Sequence, residues 1–67
     1  MRRRELSWRE ILVLEHVAAG LTNRGVATAL GLSPQTIKTH LERVYWKLGA
    51  ESRAHAVALG FRAGLLR

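Results

Sequence analysis

Leu32-Ser33-Pro34-Gln35-Thr36-Ile37-Lys38-Thr39-His40-Leu41-Glu42-Arg43-Val44-Tyr45-Trp46-Lys47-Leu48-Gly49 decides the fold, because both ends of this stretch carry a helix boundary signal. Ser33 suits the N-cap, where its hydroxyl accepts from a free backbone amide, and Pro34 suits the first helical position, where a missing N–H costs nothing. Gly49 takes the left-handed conformation that closes the far end. Between these marks Ile37, Leu41, Val44 and Leu48 recur every three or four residues and form one stripe that must face a core. At about 100° per residue, Gln35, Lys38, Thr39, Glu42 and Arg43 point the other way. These are side chains that bond base edges and phosphates, so the helix reads as one offered to the major groove of DNA. Taken alone, the same pattern also fits a solvated surface helix, and the rest of the chain has to decide.

Upstream, Thr22 is placed to cap a short helix containing Val26, Ala27, Ala29 and Leu30, which Gly31 ends. Its capping box stays open, since Gly25 stands where a Glu or Gln would return the second hydrogen bond. Gly31-Leu32-Ser33 then separates this helix from the next, which is the spacing of a helix-turn-helix. Small Ala27 allows the two helices to cross closely, and Leu32 with Ile37 makes a hydrophobic staple. Further upstream, Ser7 and Glu10 form a complete capping box, with Leu6 and Ile11 as its staple, for a helix that runs to Ala19 and stops at Gly20. Val13, Leu14 and Val17 are its buried stripe, while Ile11 and Leu12 widen the apolar surface. Downstream, Ser52 caps a fourth helix ended at Gly64. On it Ala58, Leu59, Arg62 and the Leu65-Leu66 tail offer more surface than a small domain needs, which predicts a dimer contact.

Sixty-seven residues, nearly half of them apolar, make one small domain. Eleven Lys and Arg against five Glu and no Asp give a net charge of +6, which calls for a polyanionic partner. Nucleic acid is the first candidate. An anionic membrane surface competes, but the basic residues are spread along the chain and no segment has the form of an interfacial helix. There is no cysteine and no apolar run long enough to cross a bilayer, so a cytoplasmic, nucleoid-associated protein is expected. Residues 1–5 read as a disordered basic lead-in to a domain over residues 6–67. No paired carboxylates, nucleophile or phosphate-binding glycine loop suggests an enzyme, and no cofactor is implied. His16, His40 and His55 fall on three different helices, so no metal site is expected.

Six motifs in order resemble one family. They are Leu6-Ser7-x-Arg9-Glu10, Ala18-x-Gly20-Leu21-x-Asn23, Ala27-x-x-Leu30-Gly31-Leu32-Ser33, Thr36-Ile37-Lys38-Thr39-His40-Leu41, Lys47-Leu48-Gly49-Ala50 and Ser52-Arg53-Ala54-x-Ala56-Val57. Together they resemble the LuxR/GerE/NarL helix-turn-helix, the DNA-binding domain of bacterial response and quorum-sensing regulators. The resemblance implies an all-α, four-helix domain acting in transcription regulation, bound to double-stranded DNA with its third helix in the major groove. It also implies a homodimer through the fourth helix on an inverted repeat, and an N-terminal regulatory domain outside this chain. Carried over by position, Lys38, Thr39 and Glu42 fall at bases. Asn23, Arg24, Ser33, Gln35, Thr36, His40, Arg43 and Lys47 fall along the DNA backbone or groove walls, with a packing role the other reading of His40. Val57, Ala58, Phe61 and Arg62 fall at the dimer face. The chain departs from the family at Trp8, Leu12, Gly25, Trp46 and His55. Of these, Trp8, Leu12 and Trp46 add apolar surface, which suits docking against another domain or copy. Two other uses of the fold compete: a sigma factor's promoter-reading helix-turn-helix, which lacks the Ser52 to Val57 motif, and a helix-turn-helix kept for protein–protein interaction.

Overall fold

A computed structural model describes residues 5–67; Met1 to Arg4, on which most of the expected lead-in falls, lie outside the described residues. Four helices follow one another: α1 (Trp8–Ala18), α2 (Asn23–Leu30), α3 (Pro34–Leu48) and α4 (Arg53–Arg62). There is no strand among the described residues. Every helix begins on the expected cap, with the hydroxyls of Ser7, Thr22, Ser33 and Ser52 accepting from the amides of Glu10, Gly25, Thr36 and His55. At the start of α4 the His55 imidazole adds a bond of its own, its Nδ1 accepting from the Glu51 amide at 3.0 Å, one residue before the amide that a capping box would engage.

The tight turn between α2 and α3 depends on Gly31. Its φ of 70° is left-handed, and it lets the amides of Gly31 and Leu32 reach back to the carbonyls of Thr28 and Ala27. A Cβ added there would meet nothing within 4 Å, so an alanine would suffer conformational strain alone. We expect Gly31→Ala to lose about 1 kcal/mol in urea unfolding, with unchanged helix content by circular dichroism.

Helix α3 packs against all three other helices, so its stripe is central to the core. Ile37 and Leu41 join Val13, Val17, Val26 and Ala27 between α1, α2 and α3. Val44 joins Leu14, Ala56 and Leu66 on the α4 side. Leu66 corrects one expectation: the tail does not present both leucines to a partner but folds back, burying Leu66 over Gly60. The absence of a side chain at Gly60 is what admits it, since a Cβ there would lie 2.9 Å from Leu14 Cδ2 and from Leu66 Cδ1.

A second finding concerns Glu10, which does more than complete its capping box. Its carboxylate accepts from the Ser7 amide at 2.9 Å and from Nζ of Lys47 at 2.8 Å. The residue is 3 % exposed, so this pair ties the start of α1 to the end of α3 inside the fold. Burial pushes the Glu10 carboxyl up. The hydrogen bond and charge of Lys47 and the bonds to Ser7 outweigh it, and the group sits below the usual carboxylate value. Lys47, expected along the DNA backbone, is thus committed to a structural partner, and a phosphate would have to compete with it.

Candidate nucleic-acid interface

With its apolar stripe buried, α3 presents Gln35, Lys38, Thr39, Glu42 and Arg43 exposed on its outer face, as its periodicity predicts. Two hydroxyls near its start are already engaged. Ser33 Oγ and Thr36 Oγ1 share a hydrogen bond at 2.9 Å while Ser33 caps the helix, so the N-terminal turn is held rigid at its approach to a ligand. The Thr39 hydroxyl donates to the Gln35 carbonyl at 3.2 Å, which bonds it back onto its own helix. Lys38 and Arg43 supply the positive charge of this face, and Glu42 lies between them in sequence. His40 is half-buried at the edge of the stripe. Its Nδ1 is buried without a hydrogen-bond partner, which gives the ring a packing component.

At the start of α2, Arg24 is exposed and Asn23 is half-buried. Asn23 is held from an unexpected direction. Arg53, the first residue of α4, donates through Nη1 to Asn23 Oδ1 at 2.8 Å and through Nη2 to the Leu21 carbonyl at 2.6 Å. In the sequence Arg53 stands only inside a motif and carries no assigned role. One signal for it is there: a cation in the first turn of a helix opposes the helix dipole, so it calls for a partner elsewhere.

The expected dimer residues divide. Ala58, Phe61 and Arg62 are exposed, with Phe61 at 48 %. Val57 is half-buried and packs against both halves of the core, so most of its side chain serves the monomer. Trp8 and Trp46 are 71 % and 61 % exposed, and the guanidinium of Arg9 lies 5.2 Å from the Trp8 ring centroid, a cation–π distance. Among the described residues no helix is long and apolar enough to cross a membrane.

Comparison with known proteins agrees with this arrangement. A family described as bacterial regulatory proteins, luxR family, matches residues 4–59. The transcriptional regulatory protein YdfI of Bacillus subtilis is 40% identical over 62 residues, covering 92% of this chain and 29% of that protein. A protein of Mycobacterium tuberculosis described as "Probable transcriptional regulatory protein NarL" is 46% identical over 61 residues, covering 91% of this chain and 28% of that protein. Among solved structures, the response regulator ChrA of a heme-sensing two-component system superposes with a TM-score of 0.88 at 41% identity. It covers 91% of this chain and 30% of ChrA. The chain therefore spans less than a third of the length of these relatives. A matching family over most of its length, joined to a capped helix-turn-helix with a polar outer face, shows that the chain belongs to the luxR family of bacterial regulatory proteins, as the DNA-binding domain of a transcription regulator.

Proposed function

We propose that this domain reads a specific duplex site by placing α3 in the major groove. The observation that carries this reading is the two-faced α3: Ile37, Leu41 and Val44 are buried while Gln35, Lys38, Thr39, Glu42 and Arg43 are exposed on the second helix of a helix-turn-helix. Lys38, Thr39 and Glu42 meet base edges. Thr39 offers its methyl group to a thymine, and Glu42 accepts from a cytosine amino group, the usual base partner of a carboxylate in the major groove. Arg24, Gln35, Arg43 and Asn23 meet the sugar-phosphate backbone. Ser33 and Thr36 line the groove wall beside them, His40 reaches it with the outer edge of its ring, and Lys47 contributes only as far as Glu10 releases it. Phosphate contacts give most of the affinity, and α3 gives sequence preference.

Two copies pair through Ala58, Phe61, Arg62 and the exposed part of Val57 on α4. Their recognition helices then lie ~34 Å apart, one turn of DNA, on an inverted repeat. A regulatory domain on the N-terminal side controls this pairing, and binding to chromosomal DNA places the protein in the cytoplasm. Selection from a random duplex pool, followed by titration of the enriched sequence at several salt concentrations, tests the whole reading. An inverted repeat with a steep salt slope is the expected result, and absence of binding at low salt would overturn it. Lys38→Ala is expected to cost ~1–3 kcal/mol on the enriched site alone if Lys38 bonds a guanine, and to weaken every duplex alike if it bonds phosphate. Equal affinities of mutant and parent on matched and scrambled duplexes would remove Lys38 from the interface.

A further inference from the structure

Helices α2 and α4 do not pack on one another, yet one side chain joins them. The Arg53 guanidinium spans from the first residue of α4 to Asn23, the first residue of α2, and to the Leu21 carbonyl just before it. A guanidinium has only donors, so the atom of the Asn23 amide that faces it must be the oxygen. That choice fixes the other end. The Asn23 Nδ2 group is turned away from Arg53, and it donates to nothing among the described residues.

We infer that Arg53 is a positioning residue for DNA binding: by holding Oδ1 of Asn23 and the carbonyl of Leu21, it aims the Asn23 amide donors at the DNA backbone. The inference rests on the proposed backbone contact of Asn23 and supplies its physical basis. A free asparagine amide on a surface helix turns about its side-chain bonds and offers oxygen and nitrogen alike, and the oxygen repels a phosphate. With the oxygen committed, only donors are presented. The double anchor also holds the turn between α1 and α2, so the distance of Asn23 from the α3 face is set from α4. A consequence is that a partner docking on α4 and a phosphate at the start of α2 are linked through one side chain.

Asn23→Asp separates the two jobs of this residue. A carboxylate keeps an acceptor for Arg53 and adds an ion pair, so the urea midpoint of the 67-residue chain should stay level or rise. It has no donor for phosphate, so affinity for the selected duplex should fall about tenfold or more, the loss expected for a hydrogen bond to a charged group. Thr28→Asp, which puts the same charge at the exposed far end of α2, controls for general repulsion and should lose far less. The positioning role of Arg53 is read from a double-mutant cycle by fluorescence anisotropy. Arg53→Ala should weaken binding severalfold in the parent chain and have almost no further effect in an Asn23→Ala background, where no amide remains to be aimed. Arg53→Lys, which reaches one acceptor but not both, should fall between.

Three outcomes would count against this. If Asn23→Asp binds no worse than Thr28→Asp, or if its midpoint drops, the amide is not oriented as inferred. If the losses from Arg53→Ala and Asn23→Ala simply add, Arg53 does not act through Asn23. If the parent chain binds no duplex at all, the DNA reading fails first and takes the inference with it, whereas binding by the parent with either of the other results overturns the inference alone.

Discussion

Leu14→Ala is expected to remove a large share of the domain's stability. Leu14 is completely buried and stands where α1, α4 and the returning tail meet, in contact with Val44, Ala56 and Leu66. Its Cδ2 also fills the space that Gly60 leaves open. Truncating a buried leucine costs ~2–5 kcal/mol, the upper part applying where the surroundings cannot collapse into the cavity. Here the cavity floor is a glycine and the helices around it are capped at their starts, so little relaxation is available. A chain of this size has a total stability of roughly 3–10 kcal/mol, and the loss consumes much of it. Urea unfolding followed by circular dichroism measures it, with half-buried Leu12→Ala as a comparison expected to lose much less. An equal loss in the two variants would mean that the tail and Gly60 do not depend on Leu14.

Lys47→Ala is expected to destabilise the fold by about 1–3 kcal/mol at neutral pH and to reduce the stability that Glu10 loses in acid. In the parent chain the Glu10 carboxyl lies below its ordinary value of 4.5. A depressed carboxylate contributes stability that is present above the unfolded value and is lost as the pH falls through the lower folded one, so the parent weakens on this account only below about pH 4.5. Without Lys47 the burial that opposes the charged form is less fully answered, and the carboxyl moves upward. Protonation then relieves a buried charge. The stability gap between variant and parent should therefore narrow as the pH is lowered from about 7 toward about 4, and a gap that is constant or widens would show that Lys47 does not hold the carboxylate. Glu10→Gln should cost less than Lys47→Ala. The lysine side chain is 21 % exposed and can turn its ammonium to water, whereas the carboxylate, 4 % exposed, cannot.

The two variants also separate folding from DNA binding. Lys47 belongs to the expected backbone set, yet its ammonium is engaged by Glu10. A loss of affinity in Lys47→Ala that disappears once its lower folded fraction is allowed for would assign the residue to the fold. Lys38 and Arg43, exposed on the outer face of the same helix, carry no such ambiguity.

Most of what local chemistry governs is legible in the order of the residues. A cap needs a hydroxyl three residues from an amide, and a left-handed helix end needs a glycine, so Ser7, Thr22, Ser33, Ser52, Gly31 and Gly49 mark their helix ends within the reach of a few bonds. The stripe of Ile37, Leu41 and Val44 and the opposed polar face of α3 follow from helical geometry alone. These features identify the helix-turn-helix, and with the basic composition they point to DNA. What the sequence conceals lies far apart along the chain. Glu10 and Lys47 are 37 residues apart, Asn23 and Arg53 are 30 apart, and Leu66 meets Leu14 only because Gly60 leaves room for it. In each case the residue has a satisfactory local reading: a capping glutamate, a lysine along the DNA backbone, a helix-start arginine, a surface leucine.

The sequence by itself therefore determined where each helix begins, the ends of α2 and α3 at Gly31 and Gly49, which face of α3 is apolar, and that the chain carries the charge to meet a polyanion, while α1 and α4 stop slightly earlier than expected, at Ala18 and Arg62. Only the tertiary structure decided which polar groups are committed inside the protein and which are left for a partner. The reason is physical: a helix end is satisfied by groups within one turn of it, while a side-chain donor or acceptor is committed by whatever the packing of distant elements brings within about 3 Å of it.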